Sequence, residues 1–246
     1  MKERLITSIA LISVLLIVGL IDNVYLTGFL IAVIAVLGMY EAKKIFEVEE
    51  ENIFYFLSFM AVMSIFGNPL LVGVVGVLAV GGYIAFYKKD LNIISISLYP
   101  FLPLMILYSL YLKTSMGFLG WLIVIVAATD SFAYLIGKNF KGHFFKEGFS
   151  PTSPNKSWEG VIGGVISGSL LGAVVGLAFF NFFEALLISL SVSIASVFGD
   201  LFESFLKRRA GVKDSGNILP GHGGVLDRID GYLFGAPLLW AIVMSI

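Results

Sequence analysis

Residues Phe118–Gly137 read FLGWLIVIVAATDSFAYLIG, a run in which Asp130 is the one ionisable acid or base. At 1.5 Å per residue a helix of about 20 residues spans roughly 30 Å, the hydrocarbon thickness of a bilayer. Working outward, runs of the same kind fill most of the chain. Of 246 residues, 58% are hydrophobic and 13% charged, whereas soluble domains carry roughly 25% charged residues. A water-soluble fold could not cover that much apolar side chain with so little charge, but lipid accepts an apolar exterior.

Nine apolar segments can be read: Leu5–Leu20, Val24–Tyr40, Ile53–Phe66, Leu70–Tyr87, Ile94–Leu112, Phe118–Gly137, Val161–Asn181, Phe183–Leu206 and Ile229–Ile246. The expected fold class is therefore all-α, a polytopic membrane-embedded helical bundle of about nine spans. The third segment is short for a full span, and Pro100 and Pro103 should kink the fifth. Met1-Lys2-Glu3-Arg4 before Leu5–Leu20 imitates a signal peptide, but no small-residue cleavage site follows, so it reads as a retained first helix.

The positive-inside rule tests the count. With a cytoplasmic N-terminus, Lys113 alone of the 16 Lys and Arg residues falls outside. Two inner connections, 138–160 and 207–228, are polar and rich in Gly, Pro, Lys and Asp. The acidic stretch Glu41–Asn52 reads as a solvated surface helix or loop. Residues 1–112 look like a helical scaffold and 113–246 like the functional part of a single domain.

Composition also excludes chemistry. A net charge of −1 provides no basic field for nucleic acid. The absence of cysteine removes disulfides, thiolate nucleophiles and thiolate metal sites, and two histidines, His143 and His222, do not make a multi-histidine centre.

Ionisable groups inside spans cost about 2.5–3.5 kcal/mol each on insertion scales and usually face a cavity or a partner. Here they are Asp130, Asp200 and Glu203. Asp200, Glu203 or Ser204, and Lys207 share one helix face by their spacing. That face could form one wall of a polar site open to the cytoplasm, or a structural pair tying helices together. Residues Ser204–Asp230 read SFLKRRAGVKDSGNILPGHGGVLDRID. Lys207, Arg208, Arg209 and Lys213 concentrate positive charge near the bilayer. Gly221-His222-Gly223-Gly224 lets the backbone turn sharply and aim N–H groups at an anion. Asp227 and Asp230 place two carboxylates one turn apart. Each feature alone is ordinary; together they are what a magnesium–polyphosphate site requires. Gly160, Gly164, Gly168, Gly172 and Gly176 form a stripe at a spacing of four, suited to close packing within the chain or, alternatively, to a homodimer seam.

The run Ser204-x-Leu206-Lys207-Arg208, Lys213-Asp214, Leu219-Pro220-x-His222-Gly223-Gly224-Val225-x-Asp227-Arg228-Ile229-Asp230 resembles the signature of the phosphatidate cytidylyltransferase family. Asp130-Ser131-x-Ala133-Tyr134-x-x-Gly137-Lys138 and Ser153-Pro154-Asn155-Lys156-Ser157-Trp158-Glu159-Gly160 are similar to its other cytoplasmic-side elements. Ser157 stands where members commonly carry Thr, which keeps the hydroxyl. The resemblance is sharp over residues 130–230; before that it rests on hydrophobicity and helix count. It implies transfer of CMP from CTP to phosphatidate at the cytoplasmic face of the inner membrane, among membrane lipids. It further implies Mg²⁺, with a second Mg²⁺ or K⁺ as an option, on Asp200 and Asp227. By the same resemblance Lys207, Arg208 and Arg228 neutralise phosphates and Asp230 orients Arg228 or a metal-bound water. His222, Gly223 and Gly224 shape a triphosphate loop. Lys156, Glu159, Ser204 and Lys213 contact substrate, and Asp130 and Glu203 stand as further candidates.

Three other classes compete. A secondary transporter would show paired repeats with broken helices, and no repeat is present. A CDP-alcohol phosphotransferase would carry Asp-x-x-Asp-Gly-x-x-Ala-Arg, which is absent. A CTP-dependent polyprenol kinase is the nearest rival and would transfer the γ-phosphate instead.

Overall fold

In lipid a backbone must satisfy its own hydrogen bonds, so apolar runs become helices. The computed structural model describes residues 2–246, with side chains from Leu5 onward; the side chains of Lys2 and Arg4, the two basic residues of the N-terminal flank, lie outside the described residues. The helices are α1 (Lys2–Ile21), α2 (Val24–Ile45), α3 (Glu51–Met63), α4 (Pro69–Tyr87), α5 (Ile94–Ile96), α6 (Leu102–Lys113), α7 (Met116–Phe140), α8 (Trp158–Gly176), α9 (Phe182–Arg209) and α10 (Leu226–Ser245). Among the described residues, six stretches are long and apolar enough to cross a membrane: α2, α4, Leu91–Lys113, α7, α8 and α9. The protein is therefore a predominantly helical integral membrane protein. The apolar helices Leu5–Ile21 and Glu51–Phe66 are shorter, which agrees with the short third segment.

The polar connection between α7 and α8 contains an antiparallel hairpin, β1 (Gly148–Ser150) and β2 (Ser153–Ser157). The prolines act as expected. Tyr99 adopts φ −149° and ψ 109° ahead of Pro100 and separates α5 from α6, because the proline ring disfavours a helical residue before it.

The chain forms two compact units. The first comprises Met1–Met116 and Arg209–Ile229. Asn23 caps α2 by accepting from the Tyr25 and Leu26 N–H groups, at 3.0 and 3.1 Å. Tyr108, fully buried, donates to the Val24 carbonyl at 3.1 Å, and Tyr111 donates to Asp22 Oδ1 at 2.7 Å. A Cβ on Gly73 would sit 2.8 Å from Leu102 Cδ1, so α4 lies against α6 at a distance only glycine permits.

The second unit comprises Gly117–Arg208 and Asp230–Ile246, and here the glycine stripe of α8 finds its use. A Cβ on Gly160 would lie 2.7 Å from the Ala133 carbonyl, on Gly164 2.6 Å from that of Thr129, and on Gly176 2.7 Å from the Trp121 ring. On Gly172 it would approach Ser189 Oγ to 2.6 Å. The stripe is filled from within the chain by α7 and α9, the first of the two alternatives read from the sequence. Polar atoms close the seam. Trp121 Nε1 donates to the Gly172 carbonyl at 2.7 Å, and the Thr129 and Ser193 hydroxyls share a 2.7 Å hydrogen bond. Such bonds and close van der Waals contact hold helices together where lipid supplies no hydrophobic drive.

Arg209–Ile229, which carries the Gly-rich loop, belongs with Met1–Met116 in the first unit. Contacts from α1 and α2, described next, explain why.

Candidate functional site

In the first unit the signature loop folds around a tight turn. The Leu219 N–H donates to the Gly223 carbonyl at 3.0 Å, and the His222 N–H donates to the Leu219 carbonyl at 2.9 Å. Gly221 and Gly223 take φ of +73° and +84°, and a Cβ on Gly223 would press on Asp227 Oδ2 at 2.5 Å. Only glycine meets both conditions at 223.

The loop N–H groups point at anions that belong to the protein itself, its own carboxylates. Asp227 Oδ2 accepts from the Gly224 N–H at 2.8 Å and from the Ser215 N–H at 3.0 Å. Glu41, 1% exposed, accepts from the Val225 and Leu226 N–H groups at 2.9 Å each and from the Ser215 hydroxyl at 3.0 Å. Glu41 was expected in a solvated acidic stretch. It is instead interior on α2, because a carboxylate offsets the unpaired N–H groups and positive end of the α10 N-terminus. Farther along, Glu51 does face solvent and pairs with Lys43.

α1 holds the turn from its other side. Thr7 Oγ1 donates to the Pro220 carbonyl at 3.0 Å, and Ser8 Oγ lies 3.0 Å from His222 Nε2. Arg228 Nη2 donates to the His222 carbonyl at 3.0 Å. Lys213 is exposed. Lys44, Asp214, Ser215 and Asn217 line a cavity of about 390 Å³ beside the loop.

The second unit gathers the other charged candidates. Gly199 lets α9 approach α10 so closely that a Cβ there would lie 3.2 Å from the Asp230 carbonyl carbon. The next residue, Asp200, falls within the field of the Asp230 carboxyl. Lys156, from β2, donates to Asp200 Oδ2, and Ser204 Oγ donates to Asp200 Oδ1 at 3.4 Å. One turn on, Lys207 Nζ lies 3.3 Å from Glu203 Oε1, with Glu203 fully buried. Asp230 is in hydrogen-bonding contact with Glu203 and feels Lys207. Tyr232 lies in the field of both Asp130 and Asp230. The structure thus brings Lys156, Asp200, Glu203, Ser204, Lys207 and Asp230 together, with Asp130 at the edge through Tyr232. Arg208, at the end of α9, is exposed.

Glu159 goes elsewhere. Its Oε1 accepts from the Phe144 and Phe145 N–H groups at 3.0 Å each, fastening the connection between α7 and β1. Ser157 caps α8 by accepting from the Gly160 N–H at 3.1 Å, a role that needs a hydroxyl and suits Ser or Thr alike.

The donor set around Asp200 is made of carboxylate oxygens, and Asp200 already holds one cation, the Lys156 ammonium. Hard oxygen donors of this kind suit magnesium, which typically takes one or two protein carboxylates and completes its shell with water and phosphate. Among the described residues no group of three or more His, Cys, Asp or Glu side chains is arranged to hold a metal by itself.

Comparison with known proteins defines the class. The cytidylyltransferase family model matches residues 2–246, and the chain belongs to that family. Its relatives include the phosphatidate cytidylyltransferase of Helicobacter pylori strain 26695, 37% identical over 98% of this chain and 91% of the relative. That of Aquifex aeolicus is 34% identical over 80% of this chain and 74% of the relative. The Bacillus subtilis protein of the same name matches more sharply over less, 44% over 49% of this chain and 45% of its own length.

Proposed function

We propose that this chain is a phosphatidate cytidylyltransferase, transferring CMP from CTP to phosphatidate to give CDP-diacylglycerol and pyrophosphate. The observation that carries the reading is the meeting of the Lys156 and Lys207 ammonium groups with Asp200, Glu203 and Asp230 within one unit. Lys156, Lys207 and Asp230 are residues of the motifs that resemble the family, in a chain 37% identical to a protein of that name over nearly its whole length.

In the reaction a phosphatidate oxygen forms a bond to the α-phosphorus of CTP. The α–β phosphoanhydride bond breaks, and pyrophosphate leaves with the electron pair. A phosphate monoester has a second pKa of about 6 and is largely ionised at neutral pH, so no strong general base is required. The obstacle is the approach of two polyanions, which cationic side chains relieve. Lys156 and Lys207 supply fixed positive charge, with Arg208 and Arg228 as further phosphate partners. Asp200 and Asp230 keep the two lysines oriented. The cavity beside Lys44 and Asn217 in the first unit is of ligand size. By the family resemblance, Asp200 in the second unit and Asp227 in the first are each candidate carboxylates for magnesium, which when bound would neutralise triphosphate charge.

The proposed topology has nine crossings and a cytoplasmic N-terminus, supported by the placement of all but one of the 16 Lys and Arg residues on one side. The site then opens to the cytoplasm, where CTP is available.

The test is purified protein in mild detergent with phosphatidate, magnesium and CTP labelled at the α- or the γ-phosphate. Cytidylyl transfer sends α-label into lipid and γ-label into pyrophosphate. Entry of γ-label into lipid would instead identify a lipid kinase. No movement of either label in folded protein would sink the reading.

A further inference from the structure

Glu41 and Asp227 lie 186 positions apart in sequence and converge on one short stretch of backbone. Asp227 Oδ2 is held by two N–H groups, those of Ser215 and Gly224. Each is tied to Glu41 through its own side chain or the residues that follow it. The Ser215 hydroxyl donates to Glu41 Oε2 and also accepts from the Asp227 N–H at 3.3 Å. Gly224 is followed at once by Val225 and Leu226, whose N–H groups both donate to Glu41. A Cβ on Gly216 or Gly224 would strike the Glu41 carboxylate, so the loop is shaped around it. The polar atoms that set the Asp227 carboxylate are therefore fastened to a buried carboxylate on another helix.

We propose that Glu41 is a positioning residue for the transfer reaction, acting through Ser215 and the Gly224–Leu226 backbone to hold Asp227 in its working orientation. The proposal rests on the assignment of Asp227 to the reaction. Glu41 itself touches the loop and makes no claim on substrate. Its loss should lower turnover without weakening the binding of either substrate, because misplacing a reacting group by about 1 Å can cost on the order of a hundredfold in rate.

The test uses the full chain in detergent with Glu41→Gln, which preserves shape and one acceptor oxygen, and Ser215→Ala, which removes only the hydroxyl relay. Three quantities are measured: kcat and KM for CTP and phosphatidate, the melting midpoint, and hydrogen exchange of the amides of residues 215 and 224–226. For Glu41→Gln the expected result is a ten- to hundredfold fall in kcat, with both KM values within about threefold and faster exchange at those amides. Ser215→Ala should show the same pattern at several-fold. If Glu41→Gln does not fold, Ser215→Ala decides. Unchanged kcat, a rise in KM with kcat intact, or unchanged amide protection overturns the proposal. Wild-type protein that moves no cytidylyl group refutes the assigned reaction instead, and amide protection alone then decides whether Glu41 holds the Asp227 turn.

Discussion

Lys156 donates to the carboxylate of Asp200 across 44 residues of sequence, joining the strand before α8 to the C-terminal half of α9. The two side chains retain 29% and 31% of their exposure. An ion pair this open contributes about 0–1 kcal/mol to stability. Its value to the protein therefore lies in what the two groups do.

Lys156→Ala should leave the melting midpoint in detergent within a few degrees of wild type, while kcat/KM for CTP falls about a hundredfold, the scale of removing one charge-stabilising donor. Lys156→Arg should recover only part of the loss, because a planar guanidinium does not replace a compact ammonium. Steady-state kinetics beside a thermal melt separates the alternatives: a large drop in melting with proportionate loss of activity would make the pair structural.

Asp227→Asn tests the other carboxylate. The amide oxygen can still accept from Ser215 and Gly224, so the loop should persist and the protein should purify as folded. Turnover should fall at least about a hundredfold through loss of the charge. Near-wild-type turnover in folded protein would remove Asp227 from the reaction.

The glycine stripe gives a prediction of the opposite kind, on stability. A Cβ on Gly164 would stand 2.6 Å from the Thr129 carbonyl and 2.7 Å from the Ala133 Cβ. Gly164→Ala must push α7 and α8 apart, and overpacking of this sort costs about 1–3 kcal/mol. Gly82→Ala, where nothing lies within 4 Å, is the matched control and should melt like wild type. Equal melting of the two variants would mean that α8 does not depend on close approach.

These residues also show how far the sequence alone could go. The helices were legible because a span is a local property, a long run of apolar side chains. Lys207 pairs with Glu203 at the i, i+4 spacing read from the sequence. Glu41 was not legible, because its partners lie 174 to 185 positions away and nothing near it distinguishes a buried carboxylate from a solvated one. The hairpin at Gly148–Ser157 is hidden for a related reason: its five-residue strand contains Pro154 and four polar residues, Ser153, Asn155, Lys156 and Ser157, so it lacks a periodic apolar face. The role of Glu159 was drawn toward substrate by its place in a motif, whereas its contacts are to backbone.

That last residue supports a discriminating experiment. Glu159 is 7% exposed, and its Oε1 receives the Phe144 and Phe145 N–H groups. If its work is to staple this connection, Glu159→Gln keeps an acceptor oxygen in place, and kcat/KM should stay within about threefold of wild type. Glu159→Ala leaves the Phe144 and Phe145 N–H groups without that acceptor. The segment around Lys141 and Lys146 should then open, and trypsin should cut there several times faster in native protein. A substrate-binding Glu159 gives the reverse pattern: Glu159→Gln raises KM sharply while the connection stays resistant to trypsin. The two readings thus diverge on one pair of variants, with proteolysis reporting the staple and kinetics reporting the ligand.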